Sequence, residues 1–309
     1  MNYNEYLSYA AEITQLESLL AEIPVEDVIE RLGLESRLKS ARDAIEGINE
    51  QNLNFKAKLT FRGKPVLGSH GIAADFASKA TGIFADAVSA VAAGLAASLR
   101  DTRGPIPDKQ KNQLLITGTT IGSFGFEFEL PQPKEGMLLP ESSNAENSLQ
   151  KIQELFQLSA EGSDDQMAEL VDEIHPRAVK KVADFMNYIV QQEAWCGFEF
   201  KNRFFKFKGL EQLRNSASRL REENIQESAE EFTGKFIGIL PESRAFEFQC
   251  MDQKMVLKGK IGPEISDANI LNQNYLQKSV KVKLHVIRVG QGHPRYSLLS
   301  LDAIHNMEE

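Results

Sequence analysis

The sequence is poor in cysteine, with only Cys196 and Cys250 among 309 residues. Two cysteines cannot form a disulfide framework or supply the four ligands of a structural zinc site. Their neighbours Trp195, Phe198 and Phe248 predict that both thiols are buried in apolar surroundings. We therefore expect a protein of a reducing compartment.

Long hydrophobic runs are also missing. The N-terminus has no basic segment followed by an apolar core, so no secretion signal is predicted. The least polar stretch, residues 71–99, is built largely of alanine and contains Asp75, Lys79 and Asp86. Such a stretch is a poor bilayer span and a good buried helix. We expect a cytoplasmic protein without a membrane partner.

The chain has no excess of positive charge. Its 35 Lys and Arg residues stand against 44 Asp and Glu residues, which gives a net charge of −9. This balance excludes a polycationic nucleic-acid binder of the histone or ribosomal kind. The charge is unevenly distributed, however, because residues 233–309 carry +2 and the rest of the chain carries −11. The exclusion therefore does not extend to the C-terminal quarter.

Catalytic motifs are absent from the sequence as well. It contains no P-loop, no dinucleotide fingerprint, no G-x-S-x-G elbow and no H-E-x-x-H. The five histidines are scattered, and neither cysteine has a histidine at ligand spacing. No catalytic residue, metal site or cofactor is predicted.

The periodicity of the sequence predicts an α+β protein that begins with a helical arm and an α+β domain. In the arm, residues 1–50, a seam of Ile13, Leu16, Leu20 and Ile23 needs a partner, which is either the same chain or a second copy. Residues 52–133 predict an α+β domain with an alternating strand at 55–61 and a helix holding eleven alanines.

A linker at residues 131–147 leads into a helical region, residues 145–230, which contains a Phe-rich hairpin. Ser163 and Gln166 predict a capping box, and Pro176 ends one helix and begins the next. We expect the last helix of this region to run from about Leu210 to Glu230.

The last part of the chain, residues 231–309, predicts a small five-stranded OB-like β-barrel. Three strands, a helix and two more strands follow one another, which is the order of elements in that barrel. The fourth strand alternates regularly, with Val282 and Leu284 pointing inward and Lys283 pointing outward. An SH3-like barrel, or a sheet that does not close, would give nearly the same pattern.

The barrel is the first candidate site. In an OB barrel the ligand lies across strands two and three and between two flanking loops. Those elements carry basic residues that could contact the phosphates of single-stranded nucleic acid. They are Arg244, Lys254, Lys258, Lys260, His293 and Arg295. Phe246 and Phe248 either stack on a base or belong to the barrel core.

The hairpin at residues 197–208 is the second candidate site. It holds five of the eighteen phenylalanines, interleaved with Lys201, Arg203 and Lys206. This is the composition of a stacking platform with phosphate contacts, although such hairpins can also bury their aromatic face. The pair Phe204-Phe205 interrupts the alternation, so one of the two rings should face outward.

The third candidate is the segment Gly68-Ser69-His70-Gly71 before the alanine-rich helix. Free backbone N–H groups and the helix dipole at a helix start predict an anion site there. Alternatively, Ser69 is an ordinary N-cap and the glycines ease the turn.

These features favour a non-enzymatic protein that binds nucleic acid or a nucleoprotein partner through its C-terminal barrel. The helices would join copies of the chain into a homo-oligomer. One alternative is an enzyme, or a sensor of an anion or nucleotide, centred on residues 68–71. Another is a structural adaptor whose barrel contacts protein.

Overall fold

The computed structural model describes residues 3–24, 27–46, 56–96, 99, 104–107, 109–120, 124–130, 144–221, 223–251 and 255–307. These residues form eight α-helices and thirteen β-strands, and the predicted α+β class is confirmed. The helices are α1 (Tyr3–Glu22), α2 (Val28–Ile45), α3 (Ala74–Leu95), α4 (Asn144–Glu161), α5 (Asp164–Ile174), α6 (Pro176–Gln191), α7 (Leu210–Arg219) and α8 (Asn269–Asn274). The strands are β1 (Ala57–Gly63), β2 (Val66–Leu67), β3 (Gly71–Ile72), β4 (Leu115–Thr120), β5 (Gly125–Glu129), β6 (Ala194–Phe200), β7 (Arg203–Lys206), β8 (Ile225–Leu240), β9 (Ala245–Cys250), β10 (Val256–Ile261), β11 (Ser279–Val289), β12 (Arg295–Leu298) and β13 (Ile304–Asn306).

The N-terminal arm consists of α1 and α2, which pack against each other. Leu16 of the predicted seam is buried in this contact together with Leu38 and Ala41. The three side chains form a small apolar centre for two helices of 20 and 18 residues.

A five-stranded antiparallel sheet, in the order β4-β5-β1-β6-β7, forms the centre of the body. The segments predicted as residues 52–133 and 145–230 both contribute strands to it. On its inner face Ala57, Leu59 and Phe61 are fully buried. The linker predicted up to residue 147 ends earlier, because α4 begins at Asn144.

The alanine-rich helix α3 lies across the inner face of this sheet, between α4 and α6. The ring of Phe84 lies 5.6 Å from Phe128 and 5.5 Å from Phe198, measured between centroids. Small side chains on the rest of the helix let the neighbouring helices approach closely. The prediction that this stretch forms a buried helix is confirmed.

The junction of α5 and α6 also follows the sequence prediction. The Ser163 hydroxyl accepts a hydrogen bond from the Gln166 backbone N–H, and the Gln166 side chain accepts one from the Ser163 N–H. The predicted capping box is therefore present. His175 adopts a φ of +76° between the two helices, and Pro176 occupies the first position of α6.

The C-terminal strands close into a five-stranded barrel in the order β8-β9-β10-β12-β11, and β11 pairs again with β8. The strands β10 and β12 are parallel, and α8 lies between the third and fourth strands. This is the OB-like order, and the open-sheet alternative is excluded. Phe246 and Phe248 point into the barrel and are buried, so they are core residues and not a stacking surface.

The helix predicted from Leu210 to Glu230 is wrong in its second half. Helix α7 ends at Arg219, and β8 begins at Ile225. Strand β11 pairs with β8 along its whole length, up to Val289 opposite Ile225. This pairing overrides the helical composition. Because Ile225, Ile287 and Val289 belong to the apolar core of the body, they join the barrel to it.

Candidate nucleic-acid interface

Arg244 of the barrel supports the turn that follows β10. Its guanidinium donates hydrogen bonds to the backbone carbonyls of Ile261, at 3.1 Å, of Ile265, at 2.7 Å, and of Gly262. A guanidinium that donates to three carbonyls has few donors left for a phosphate. Arg244 is therefore a structural residue of the barrel.

The loop between β11 and β12 is bound by the beginning of α5. The Asp165 carboxylate accepts from the His293 backbone N–H at 2.7 Å and lies 3.1 Å from His293 Nδ1. The backbone hydrogen bond from His293 lowers the pKa of Asp165. Arg295 donates to the Asp165 carbonyl at 3.3 Å. In OB barrels this loop flanks the ligand. Here its His293 and Arg295 are bonded to Asp165 of α5 in the same chain.

The lysines of β10 also have carboxylate partners. The Lys258 ammonium lies 3.0 Å from Glu247, and the Lys260 ammonium lies 3.2 Å from Asp172 of α5. The structure brings Lys258, Lys260 and Arg295 together around one cavity of about 180 Å³. Glu169 and Asp172 line the same cavity, so its charge is largely balanced.

Helix α5 packs against this part of the barrel and is itself anchored in the body. Met167, Val171 and Ile174 of α5 are fully buried in the core of the body. Separating the barrel from α5 would also expose Ile287 and Val289, at a cost of roughly 3–6 kcal/mol. Lys254, the remaining predicted barrel residue, lies outside the described residues.

The segment Gly68–Gly71 does not begin a helix, contrary to the prediction. It forms the turn between β2 and β3, where Gly68 has a φ of +58° and the His70 N–H donates to the Leu67 carbonyl at 3.0 Å. Helix α3 begins only at Ala74, with Ala73 as N-cap. Because β2 pairs with β3, the turn lies in a hairpin and not at the start of α3. The helix dipole therefore does not support an anion site at these residues.

The Phe-rich hairpin is formed by β6 and β7, with Lys201 and Asn202 at positive φ in its turn. Phe205 is buried under the sheet, whereas 61% of Phe204 is exposed. The predicted outward ring is therefore confirmed. The Lys201 ammonium contacts the Glu146 carboxylate, whereas Arg203 and Lys206 have no carboxylate partner in the described ranges. Arg203 lies opposite Phe200, which is buried on the inner face of the sheet, so Arg203 does not share a face with Phe204.

The register places Phe204 and Lys206 on the outer face of the central sheet. Lys206 lies in a row with Gly197 of β6, Thr60 of β1, Gly125 of β5 and Thr120 of β4. The centre of this row carries no large side chain, so we call it the trough. A Cβ atom at Gly197 would lie only 3.0 Å from Thr60 Oγ1, so a side chain there would crowd the row.

Two further rows border the trough. On one side Phe204 lies opposite Glu199, which in turn lies opposite Lys58. On the other side Trp195 lies opposite Arg62. The trough is therefore bordered by an aromatic ring on each side.

The charges in the two rows differ in a way that matters for binding. In the row of Phe204, Glu199 forms an ion pair with Lys58 at 3.1 Å. Glu127, which lies opposite Lys58 on β5, shares the Lys56 ammonium with Glu129, so this side of the trough has one acidic residue more than it has lysines. Arg62 has no carboxylate within ion-pair distance among the residues that the structure describes. Arg62 and Lys206 are the outer-face cations beside the trough that have no carboxylate partner in the described ranges, and they give its immediate surroundings a small excess of positive charge.

Sequence reasoning missed Arg62 and Trp195. The strand predicted at residues 55–61 stops one residue before Arg62, although the alternation continues through Arg62 and places it on the same face as Lys58 and Thr60. That alternation is the signal that could have found it. Trp195 could not be assigned, because only the pairing of β6 with β1 brings it next to Arg62.

Comparison of the chain with models of known families, with curated proteins and with solved structures returned no match. In the described ranges, no group of three or more His, Cys, Asp or Glu residues is placed to hold a metal ion. None of the helices described combines the length and the apolar content needed to cross a bilayer. Function is therefore inferred from the residues of the site itself.

Proposed function

We propose that this protein binds single-stranded nucleic acid across the outer face of its central sheet. The observation that carries the proposal is the exposed ring of Phe204 beside a trough whose neighbouring outer-face cations, Arg62 and Lys206, have no carboxylate partners among the described residues. Aromatic rings that stack on bases and cations that meet phosphates are the two components of sequence-tolerant single-strand binding.

The dimensions of the trough favour a single strand over a duplex. Five strands spaced by about 4.8 Å give a row roughly 19 Å long. Rows on one face of a strand repeat at about 6.7 Å, so Phe204 and Trp195 border a channel roughly 13 Å wide. A flat channel of this size accommodates a few unpaired nucleotides.

The position of Trp195 gives a direct test, because it is the only tryptophan in the chain. A labelled oligonucleotide should bind with an affinity that falls steeply with added salt, and binding should quench the Trp195 fluorescence. Phe204→Ala should weaken binding by about 5- to 150-fold, which corresponds to the loss of one stacked base.

The matched control is Leu240→Ala, because 62% of Leu240 is exposed on the barrel, a fraction close to that of Phe204. This variant should bind as the wild type does. Equal affinities of the Phe204→Ala variant and the wild type, or binding that leaves the tryptophan signal unchanged, would exclude the outer face of the sheet as the interface.

A second proposal concerns assembly through the arm. Val28, Ile29 and Leu32 form an apolar patch at the beginning of α2, with 58%, 90% and 61% of their surfaces exposed. We infer that the arm of a second copy covers this patch, since identical patches can pair about a twofold axis. The mass in solution should fall to that of one chain in the variant Ile29→Glu with Leu32→Glu. An unchanged mass would contradict the proposal.

A further inference from the structure

His175 lies at the corner where α5 ends and α6 begins, beside the barrel. It lines a cavity of about 670 Å³ and a second cavity of about 440 Å³, and Pro176 and Glu227 line both of them as well. The corner packs closely on α3, because a Cβ atom at Gly94 would collide with the Ile174 carbonyl and lie 3.4 Å from His175 Cβ. The His175 side chain is therefore half-buried between the helical layer and the barrel.

The imidazole of His175 caps the beginning of α6. Pro176 occupies the first helical position and has no N–H, so the Arg177 N–H is the first backbone donor of the helix. His175 Nδ1 accepts a hydrogen bond from this N–H at 3.2 Å, while the N–H groups of Ala178 and Val179 donate to the His175 carbonyl at 3.0 and 3.3 Å. The ring thus supplies the acceptor for the first of the three donors, and the carbonyl supplies it for the other two.

This cap requires a neutral imidazole. Nδ1 can accept a hydrogen bond only while it carries no proton, so the proton of the neutral ring lies on Nε2. An imidazolium has two N–H donors and no acceptor, and its positive charge would face the N-terminus of α6, where the helix dipole is also positive. Protonation therefore removes the hydrogen bond from Arg177 and adds an electrostatic repulsion.

The ring is surrounded by charged groups from the elements that pack on the corner. They are Asp172 and Glu173 of α5, Arg177 and Lys180 of α6, Glu227 of β8, Lys260 of β10, Glu264 of the turn after β10 and His285 of β11, and α3 adds the uncharged Gly94. Asp172 and Glu173 already have lysine partners. The negative charges that act on His175 are therefore those of Glu227 and Glu264.

Burial of the ring outweighs the attraction of these two carboxylates for a proton. Desolvation lowers the pKa of His175, and the charges of His285 and Arg177 act in the same direction. A lowered pKa in the folded state stabilises the fold above the ordinary value of 6.5, and this contribution is lost as the pH falls through the lowered pKa. The direction of this shift agrees with the cap, which also requires the neutral ring.

We propose that His175 is a pH-sensitive cap, which holds the first turn of α6 beside the barrel at neutral pH and releases it when the imidazole is protonated. The released ring turns towards Glu227 and Glu264, which face it from the barrel side of the corner. The cap is separate from the trough and does not depend on the proposed binding of nucleic acid.

Melting curves of the full chain from about pH 7.5 to about pH 5.5 test the proposal, with His175→Asn as the main variant. Asparagine adopts positive φ more readily than most residues and its side-chain oxygen can cap a helix, but it does not titrate. The melting temperature of the wild type should fall by about 2–4 °C over this range, and that of His175→Asn by less than about 1 °C. His70→Asn replaces a histidine in the exposed turn between β2 and β3 and should behave as the wild type does.

A second measurement follows the ring itself. In an NMR titration of the isotopically labelled wild type, Nδ1 of His175 should have the chemical shift of an unprotonated nitrogen at neutral pH, and the ring should titrate below 6.5. Three results would overturn the proposal: a proton on Nδ1 at neutral pH, a titration midpoint above 6.5, or a decline of His175→Asn as steep as that of the wild type. The titration uses the wild-type chain, so it remains decisive if the variant fails to fold.

Discussion

Lys260 on the barrel and Lys206 on the central sheet are both exposed basic residues on a β-strand, but their surroundings differ. Lys260 faces α5 and pairs with Asp172, whereas Lys206 faces the trough and has no carboxylate partner in the part of the chain described. The difference arises because α5 packs on the barrel, while the helices of the body cover only the inner face of the sheet. A basic strand is available to a ligand only where the fold leaves it uncovered.

The largest effect is expected when two charges are reversed in each region. Arg62→Glu with Lys206→Glu should weaken oligonucleotide binding roughly 100-fold at low salt and reduce the salt slope by about two. Lys258→Glu with Lys260→Glu should change the affinity by less than about threefold, because these lysines already have carboxylate partners. Fluorescence anisotropy over a salt series measures both.

The reverse outcome has an equally clear meaning. If the barrel pair causes the larger loss, the barrel is the contact module and the sheet is a scaffold. Equal losses would show that one strand of nucleic acid crosses both regions.

The next largest effect concerns the contact between the barrel and α5. Only 8% of the Asp172 side chain is exposed, and it accepts from Lys260 and Ser297. Asp172→Ala should lower the free energy of unfolding by about 2–3 kcal/mol, because it leaves both partners without an acceptor. Glu247→Ala, which removes the exposed partner of Lys258, should cost less than about 1 kcal/mol. Urea denaturation gives both values, and equal losses would contradict a stabilising contact between α5 and the barrel.

A smaller loss of stability is expected at low pH. The hydrogen bond from Arg219 lowers the pKa of Asp164, and the backbone hydrogen bond from His293 lowers that of Asp165. A lowered pKa in the folded state stabilises the fold above the ordinary pKa of 3.8, and this contribution is lost as the pH falls through the lowered values.

The melting temperature should therefore fall as the pH decreases below about 4. The variant Asp164→Asn with Asp165→Asn should be less stable at pH 7 and should show a flatter decline between pH 4 and pH 2. A decline as steep as that of the wild type would mean that other carboxylates dominate. Circular dichroism over a pH series checks this.

Local patterns alone predicted several elements correctly. The capping box at Ser163, the helix boundary at Pro176 and the inward residues of β11 depend on side-chain spacing within a few residues. The strand order of the barrel and the exposed ring at Phe204 or Phe205 were also accessible, since both follow from alternation along consecutive strands.

Other features depend on tertiary packing and could not be predicted from local patterns. Residues 225–230 have helical composition but pair with β11, and the Gly68–Gly71 segment became a hairpin turn. The six basic residues predicted on the barrel formed a plausible phosphate surface in sequence, but five of them are now seen to have intramolecular partners. The trough combines residues from five strands spread over 147 positions.

Side-chain spacing along the chain is enough to predict which residues alternate, which helices are capped and where the charge lies. It does not predict which charges are paired, because the partners of a cation can lie far away in sequence. Asp165 and Asp172 are more than 80 residues from the barrel strands that they contact, and only folding brings them there. A cation is available to a ligand only where folding brings no carboxylate next to it.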